Sequence, residues 1–329
     1  MSQSEPKLDI LGIDISKAKF DVALIKAGEE KAKHKVFDNT TVGFEQLQQW
    51  LISQNVAQLH SCMEATSTYG NALARFLFEH GYQVSIVNPS RPKAFGRSEL
   101  SRTKTDRADA KVIARFCVAL TPALWTPPPI EIEQLQALVH RLDSLKAMQQ
   151  QERNRLETAD TIVVAAINTH IEFLAQQIVA TQALITNHFD QHPHLKAQRD
   201  LIVSIPGIAA ATATAILSEI RDLSAFESAD QLAAFAGLTP SEFSSGSSVH
   251  GKPRLSKIGN RHLRKVLYMP ALVARRYNPL IRTFCERLLA KGKSKMAVIG
   301  AAMHKLLRLV FGVLKSGQPF NPDFLSSPS

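Results

Sequence analysis

The stretch Leu8-Asp9-Ile10-Leu11-Gly12-Ile13-Asp14 reads as a buried strand that ends on an acid. A second apolar run, Leu59-His60-Ser61-Cys62-Met63, ends on Glu64 in the same way. Each acid thus stands at the C-terminal tip of a predicted strand, where open α/β sheets build their sites.

A second pair of acids opens a predicted helix. Its apolar stripe runs Ala110, Ile113, Ala114, Cys117 and Val118, the spacing of one helix face. Asp106 lies one turn before Ala110 and Asp109 one turn before Ile113, so both carboxylates are expected to face the sheet and not the water. Taken singly, each acid has an ordinary explanation: Asp106 as an N-cap, Asp109 as a partner of the helix dipole, Asp14 in a turn, Glu64 on the surface. Taken together, four converging carboxylates need a cation to offset their repulsion. Metal held by acids in a basic protein acts most often on phosphodiesters.

Further strands are expected near residues 19–26, 33–38 and 82–87, and helices near 42–53, 69–80 and 106–119. Two hairpin-linked strands after the first, then strand, helix, strand, is an RNase H-like order, so the N-terminal part is predicted to be α/β with a mixed sheet. Lys17 and Lys19 are expected on the solvent side of the first hairpin. The segment 121–129 ends in three consecutive prolines, which neither continue a helix nor enter a central strand, and a domain boundary is expected there.

Residues 131–191 contain neither Gly nor Pro, and Leu135, Leu138, Leu142 and Leu145 keep three-four spacing. As a single rod this stretch would span about 90 Å, so an antiparallel hairpin or a long arm is implied. Packing within the chain and self-association both fit, because the seam loses its apolar repeat at Gln149 and Glu152. His188, His192 and His194 surround a proline-interrupted loop without a fixed face and are not read as a metal cluster. Residues 201–208, Leu-Ile-Val-Ser-Ile-Pro-Gly-Ile, followed by an Ala-rich helix, have the pattern of a helix-hairpin-helix element. Its usual second glycine is replaced by Ala209 and Ala210, leaving either a phosphate-contacting or a packing role for the turn.

After a short helix over 231–237 and the break Leu238-Thr239-Pro240 comes Ser244-Ser245-Gly246-Ser247-Ser248-Val249-His250-Gly251-Lys252. Small residues let a backbone approach a bulky anion, although the same composition also makes flexible linkers. This loop is too short to separate domains, and it directly precedes a basic block. A serine hydroxyl becomes a good nucleophile only with a base or metal beside it, and nearby cations stabilise charge developing on a phosphate.

The charge is strongly one-sided. The chain of 329 residues carries a net +10, and residues 241–329 hold sixteen Lys or Arg against three acids. That is the electrostatic footprint of a polyphosphate partner, with Lys252, Arg254, Lys257, Arg261, Arg264 and Lys265 nearest the serine loop. Lys104 and Arg107 flank Asp106 and are further candidate nucleic-acid contacts. With 7% aromatic residues, base stacking is not a prominent mode. The three cysteines match no zinc spacing and fit a reduced, cytoplasmic compartment. No membrane span is expected, because His304, Lys305 and Arg308 interrupt the apolar stretch 296–314.

The ordered set Gly12-Ile13-Asp14, Glu64-Ala65-Thr66, Lys104-Thr105-Asp106 with Asp109-Ala110, Ile205-Pro206-Gly207, Ala236-Gly237-Leu238-Thr239-Pro240 and Ser245-Gly246-Ser247-Ser248 resembles the DEDD-type transposases of bacterial insertion-sequence family 110. That family is related to pilin-gene invertases and includes the bridge-RNA-guided serine recombinases. The resemblance covers almost the whole chain. It implies a RuvC-like DEDD domain (1–125), a helical coiled-coil region (126–195), and a mostly helical C-terminal transposase domain with helix-hairpin-helix and serine loop (196–329).

It further implies Mg2+ held by Asp14, Glu64, Asp106 and Asp109, and Ser245 as nucleophile, with Ser247 and Ser248 as rivals. A composite active site shared between protomers of a dimer or tetramer, donor and target DNA, and a structured noncoding bridge RNA complete the implied picture. Ser67 departs from the expected glycine. The function expected is cutting and rejoining DNA through a phosphoserine intermediate; the alternative is a Holliday-junction-type nuclease in which the metal activates water.

Overall fold

The computed structural model describes residues 8–65, 68–98, 105–241, 244–245, 249–250, 254–256 and 258–322. The chain divides into two compact units, residues 1–127 and 128–329.

The first unit is built on strands β1 (Asp9–Ile15), β2 (Lys19–Ile25) and β3 (Lys33–Asp38), helix α1 (Thr41–Ser53), strand β4 (Leu59–Glu64), helix α2 (Asn71–Glu79), strand β5 (Gln83–Val87) and helices α3 (Ser90–Ser98) and α4 (Asp106–Leu120). The five strands form one mixed sheet in the order β3-β2-β1-β4-β5. The first three are antiparallel neighbours, while β4 runs parallel to β1 and β5 parallel to β4. Because β1 and β4 are parallel and adjacent, their acidic C-terminal ends lie side by side. One sheet face packs on α1 and α2 through Leu11, Ile13, Phe20, Leu47, Leu51, Leu73 and Leu77. The other carries α4, whose Ile113, Phe116 and Cys117 pack with Cys62 and Val87. Helix α3, absent from the sequence reading, begins just after β5 and brings Phe95 onto Phe116.

The position of α4 is decided by Gly12. A methyl group there would lie 2.2 Å from the carbonyl oxygen of Ala110 and 2.3 Å from the amide nitrogen of Ala114. Helix backbone therefore rests directly on strand backbone, and Ala110 and Ala114 are themselves fully buried. Gly12→Ala is expected to force the two apart and to destabilise the protein by about 1–3 kcal/mol, the usual cost of overpacking. Urea unfolding of the full chain measures this, and an unchanged midpoint would show that the helix does not bear on the glycine.

The segment 121–127 belongs to this unit. The amide of Trp125 donates to the carbonyl of Val84 at 2.6 Å, and the Ser85 hydroxyl donates to the carbonyls of Pro122 and Ala123 at 3.0 and 2.8 Å.

The second unit starts with α5 (Ile130–Leu156) and α6 (Thr161–Gln191), joined by a turn in which Asp160 caps α6 by accepting from the amide of Ile162. The gap-free apolar stretch is thus an antiparallel hairpin. His188 contacts the Glu131 carbonyl near one end, and Gln149 donates to the Ile171 carbonyl further out. The seam turns polar where its apolar repeat fails: Glu152 is buried there, 2.6 Å from Arg155 and 3.5 Å from His170.

The base of the hairpin shares a core with α7 (Pro193–Val203), α8 (Ala210–Ile220), α9 (Ala229–Phe235), α10 (Arg261–Val266), α11 (Tyr268–Tyr277), α12 (Pro279–Ala290) and α13 (Lys295–Ser316). Helix α13 sinks Val298, Ala302, Leu306, Leu307 and Val310 into that core. It and α6 are long and apolar enough to cross a membrane by length and composition. The turn between α7 and α8 packs inward. Gly207 has φ +107°, and a Cβ there would meet Ala274 of α11 at 2.7 Å, so the left-handed conformation and the close approach both require glycine.

Candidate nucleic-acid processing site

In the first unit Asp14 stands one residue from the end of β1, and Glu64 is the last residue of β4. Helix α4 starts beneath them, capped by Thr105, whose hydroxyl accepts from the Ala108 amide at 3.2 Å. The cap is therefore Thr105 and not Asp106. The convergence of the acids shows in proton affinity. Burial first, then the neighbouring charges of Asp109, Asp106 and Asp21, push the Asp14 carboxyl up to about 6. Burial, Asp14 and Asp109 push Glu64 up to about 7. Like charges crowded in a half-buried pocket disfavour ionisation, and a cation relieves that.

One expectation is corrected. Asp106 does not face away from water: its side chain is 59% exposed, at the rim. The reason is its place as first helical residue, where the chain has not yet come down onto the sheet. Asp109, one turn in, is half-buried.

Three further residues take part that the sequence reading did not assign. Asp21 is the cross-strand partner of Asp14 and is 4% exposed. It contacts His34 at 2.8 Å and Lys19 at 3.5 Å. The shortness of the 16–18 turn was the available signal, since it places residue 21 opposite residue 14. Lys19, expected on the solvent side, is half-exposed yet donates to Asp106 at 3.1 Å, so it clamps the rim acid to β2. Lys93 of α3 lowers the Glu64 value and so lies near that carboxyl. Arg107 is exposed on α4, while Lys104 lies outside the described residues.

In the second unit the serine segment is a nested ladder. Outer strands β6 (Pro240–Ser241) and β9 (Arg254–Leu255) pair antiparallel, as do inner strands β7 (Ser244–Ser245) and β8 (Val249–His250). Ser245 pairs with Val249, the innermost rung among the described residues. Ser247, Ser248, Lys252 and Lys257 lie outside the described residues.

The stem is firmly seated. The Ser256 amide donates to the Thr239 carbonyl at 3.0 Å, and Asn260 donates to the Phe235 carbonyl at 2.6 Å. Gly259, at φ +139°, leaves no room for a Cβ against Phe235 and Gly237. Just beyond the stem, Arg264 donates to the Ala236 carbonyl at 2.9 Å, and Arg261 and Lys265 are exposed on α10. Arg254 carries the basic run onto β9 itself.

A different cluster lies beside this stem. His140 of α5, Glu219 of α8 and His262 of α10 bring their ligand atoms within 4.8 Å of one another, an arrangement that suggests a metal-binding site. Sequence reading missed it because the three residues come from three separated helices with no spacing signature. The three histidines around Pro193 have other partners: the carbonyl of Glu131 for His188, the carbonyl of His188 for His192 and the Glu131 carboxylate for His194.

Residues 11–161 match an IS110 DEDD family profile described as a transposase, and residues 199–286 match the transposase IS116/IS110/IS902 family. The pilin gene-inverting protein of Moraxella bovis is 34% identical over 315 residues, covering 94% of this chain and 97% of that protein. The pilin gene-inverting protein of Moraxella lacunata matches with the same identity and coverage. The transposase for insertion sequence element IS1328 of Yersinia enterocolitica is 24% identical over 306 residues, covering 82% of this chain and 84% of that protein. These matches run through both compact units, and the chain belongs to the IS110/IS902 family of transposases, enzymes related to the pilin-gene-inverting recombinases.

Proposed function

We propose that this transposase cuts and rejoins the DNA of an insertion sequence through a transient phosphoserine link, with Ser245 as nucleophile and with Asp14, Glu64, Asp106 and Asp109 as a Mg2+ site on an RNase H/RuvC-like domain. The observation that carries the reading is the convergence of acids from two adjacent parallel strand ends and one helix start, whose burial and mutual repulsion raise the proton affinity of Asp14 and Glu64. Strand order β3-β2-β1-β4-β5, antiparallel then parallel, supports the RuvC-like assignment.

The acid set fits a hard divalent ion. All four ligands are carboxylates, and their mutual repulsion is what such an ion neutralises. A bound ion supplies Lewis-acid polarisation of a phosphate oxygen and a lower proton affinity for a coordinated hydroxyl. Asp14 and Glu64 would hold such an ion from the rigid sheet, and Lys19 holds Asp106 at the rim. In the exchange step the Ser245 oxygen bonds to a DNA phosphorus. The bond from phosphorus to a sugar oxygen breaks, the serine proton passes to solvent or a nearby base, and the sugar oxygen leaves as a hydroxyl. The equivalent hydroxyl freed from the partner strand then attacks the phosphoserine, the bond from phosphorus to the serine oxygen breaks, and the serine hydroxyl regains a proton, which frees the enzyme. Arg254, Arg261, Arg264, Lys265, Lys252 and Lys257 are the expected clamps on the DNA backbone, with Lys104 and Arg107 serving the acid site.

In the same reading the chain beyond the acid domain comprises the helical region (126–195) and the transposase domain with its helix-hairpin-helix (196–329). The protein acts as a dimer or tetramer in the cytoplasm, with a bridge RNA as guide. Apolar side chains exposed along α6, among them Ile162, Phe173, Val179 and Leu184, support self-association of the arm. Buried free Cys62, Cys117 and Cys285 suit a reducing compartment. RNA guidance rests on family kinship alone.

Product analysis tests the proposal. Full-length protein with Mg2+, DNA carrying both element ends and the transcribed flanking noncoding RNA is expected to yield rejoined strands and a protein–DNA adduct. Hydrolysed ends without an adduct would instead establish a junction-type nuclease that activates water.

A further inference from the structure

The His140, Glu219 and His262 cluster has more organisation than a chance meeting of three helices. His140 Nε2 lies 2.7 Å and His262 Nδ1 2.9 Å from the same oxygen, Glu219 Oε1. Glu219 is 3% exposed and is the only carboxylate in the set. Its second oxygen accepts from the Asn260 side chain at 2.5 Å. On the far side of the His262 ring, Nε2 lies 2.8 Å from Asp143 Oδ2. His262 Nδ1 itself is buried, and Glu219 Oε1 at 2.9 Å is the group it faces.

Carboxylate behind imidazole, with the free nitrogen directed inward, is the arrangement by which proteins orient metal-ligating histidines. Two imidazoles and a carboxylate are a donor set for zinc and its neighbours, whereas magnesium prefers oxygen alone. Tetrahedral bonds of about 2.0–2.2 Å give ligand–ligand edges of roughly 3.3 Å, so the two short contacts need open by only about half an ångström to admit an ion.

The cluster also has a specific place. His140 and Asp143 lie on α5, Glu219 is the penultimate residue of α8, and Asn260 caps α10, where His262 is the second residue. It therefore joins α5 and α8 to the segment that follows the serine ladder, in which Gly259 and Asn260 are pinned against the end of α9.

We propose that His140 Nε2, His262 Nδ1 and Glu219 form a structural site for a zinc-class transition ion, which fixes the C-terminal stem of the serine hairpin to α5 and α8. Asp143 and Asn260 are positioning residues that hold the ligands in orientation. A fourth coordination position is left to water. The chain would then use two metals of different hardness, one in each unit, with separate tasks.

Metal uptake by the full-length protein is the test. Chelator-treated protein is titrated with Zn2+ alone, and in parallel with Co2+, whose visible absorption reports nitrogen-bearing tetrahedral coordination. One tight Zn2+ per chain and a tetrahedral Co2+ band are expected. Asp143→Asn should weaken Zn2+ affinity by about 10–100-fold, the usual effect of removing a partner behind a ligating histidine. The pair His140→Gln with His262→Gln should lose the site altogether. Glu64→Gln should keep full Zn2+ binding, which separates this site from the acids of the first unit. The same stoichiometry in the double variant as in the parent, or a purely octahedral Co2+ spectrum in the parent, would overturn the assignment. The parent spectrum decides the matter even where a variant fails to fold.

Discussion

Ser245→Ala is expected to abolish the covalent protein–DNA species and to lower strand exchange by up to the order of 10⁶-fold, the scale on which serine enzymes lose rate when the nucleophile is removed. The position supports so large an effect. Ser245 closes the inner rung of a ladder whose stem is seated by the backbone bonds of Ser256 and Asn260 and by the close approach of Gly259 to α9. Substitution by alanine leaves the pairing partner Val249 and the basic residues of α10 unaltered, so DNA binding in a gel-shift measurement should change little. Loss of binding together with loss of exchange would point to a clamp role for the serine instead.

Glu64→Gln carries the second large effect, a fall of about 10²–10³ in cleavage rate, comparable to losing one preorganised electrostatic group. The pH dependence follows from the same crowding. Glu64 is raised from 4.5 to about 7 and Asp14 from 3.8 to about 6, both chiefly by burial. A carboxyl whose folded value lies above its unfolded value binds its proton more tightly when folded. Metal-free protein is therefore stabilised by these protons in acid, and that contribution is lost as pH rises through about 6 and 7.

A divalent ion competes with the same protons, so Mg2+ should raise the melting temperature little near pH 5 and progressively more towards pH 8. Thermal melts with and without Mg2+ across that range measure it. Glu64→Gln should flatten the profile, since the amide neither titrates nor ligates well. A Mg2+ effect independent of pH in the parent would mean that the ion binds elsewhere.

Most strands of the first unit were legible because they are short apolar runs bounded by charge or glycine, and their observed limits fall close to those read from sequence. Asp14 and Glu64 were legible for the same reason, as acids at strand ends. What the sequence could not convey was contact between elements. Asp21 is an acid inside an apolar strand and reads as ordinary alternation until register puts it opposite Asp14. Lys93 sits on a helix whose composition, with a proline and a glycine in nine residues, hides it from periodicity.

Periodicity placed Asp106 on the inward face, but angle around a helix says nothing of distance from the sheet, and the first residue lies at the edge. Glu219 is a lone acid in an apolar helix, and only the fold reveals that His140 and His262 come to meet it. The absent second glycine after Gly207 likewise gained meaning from packing, since the turn is pressed against Ala274.

The phosphoserine link itself is open to direct observation. Wild-type protein incubated with Mg2+ and element-end DNA, denatured, digested with nuclease and protease and read by tandem mass spectrometry should yield a peptide carrying a nucleotide remnant on Ser245. A remnant on Ser247 or Ser248, or cleaved DNA with no modified peptide at all, would contradict Ser245 as the nucleophile.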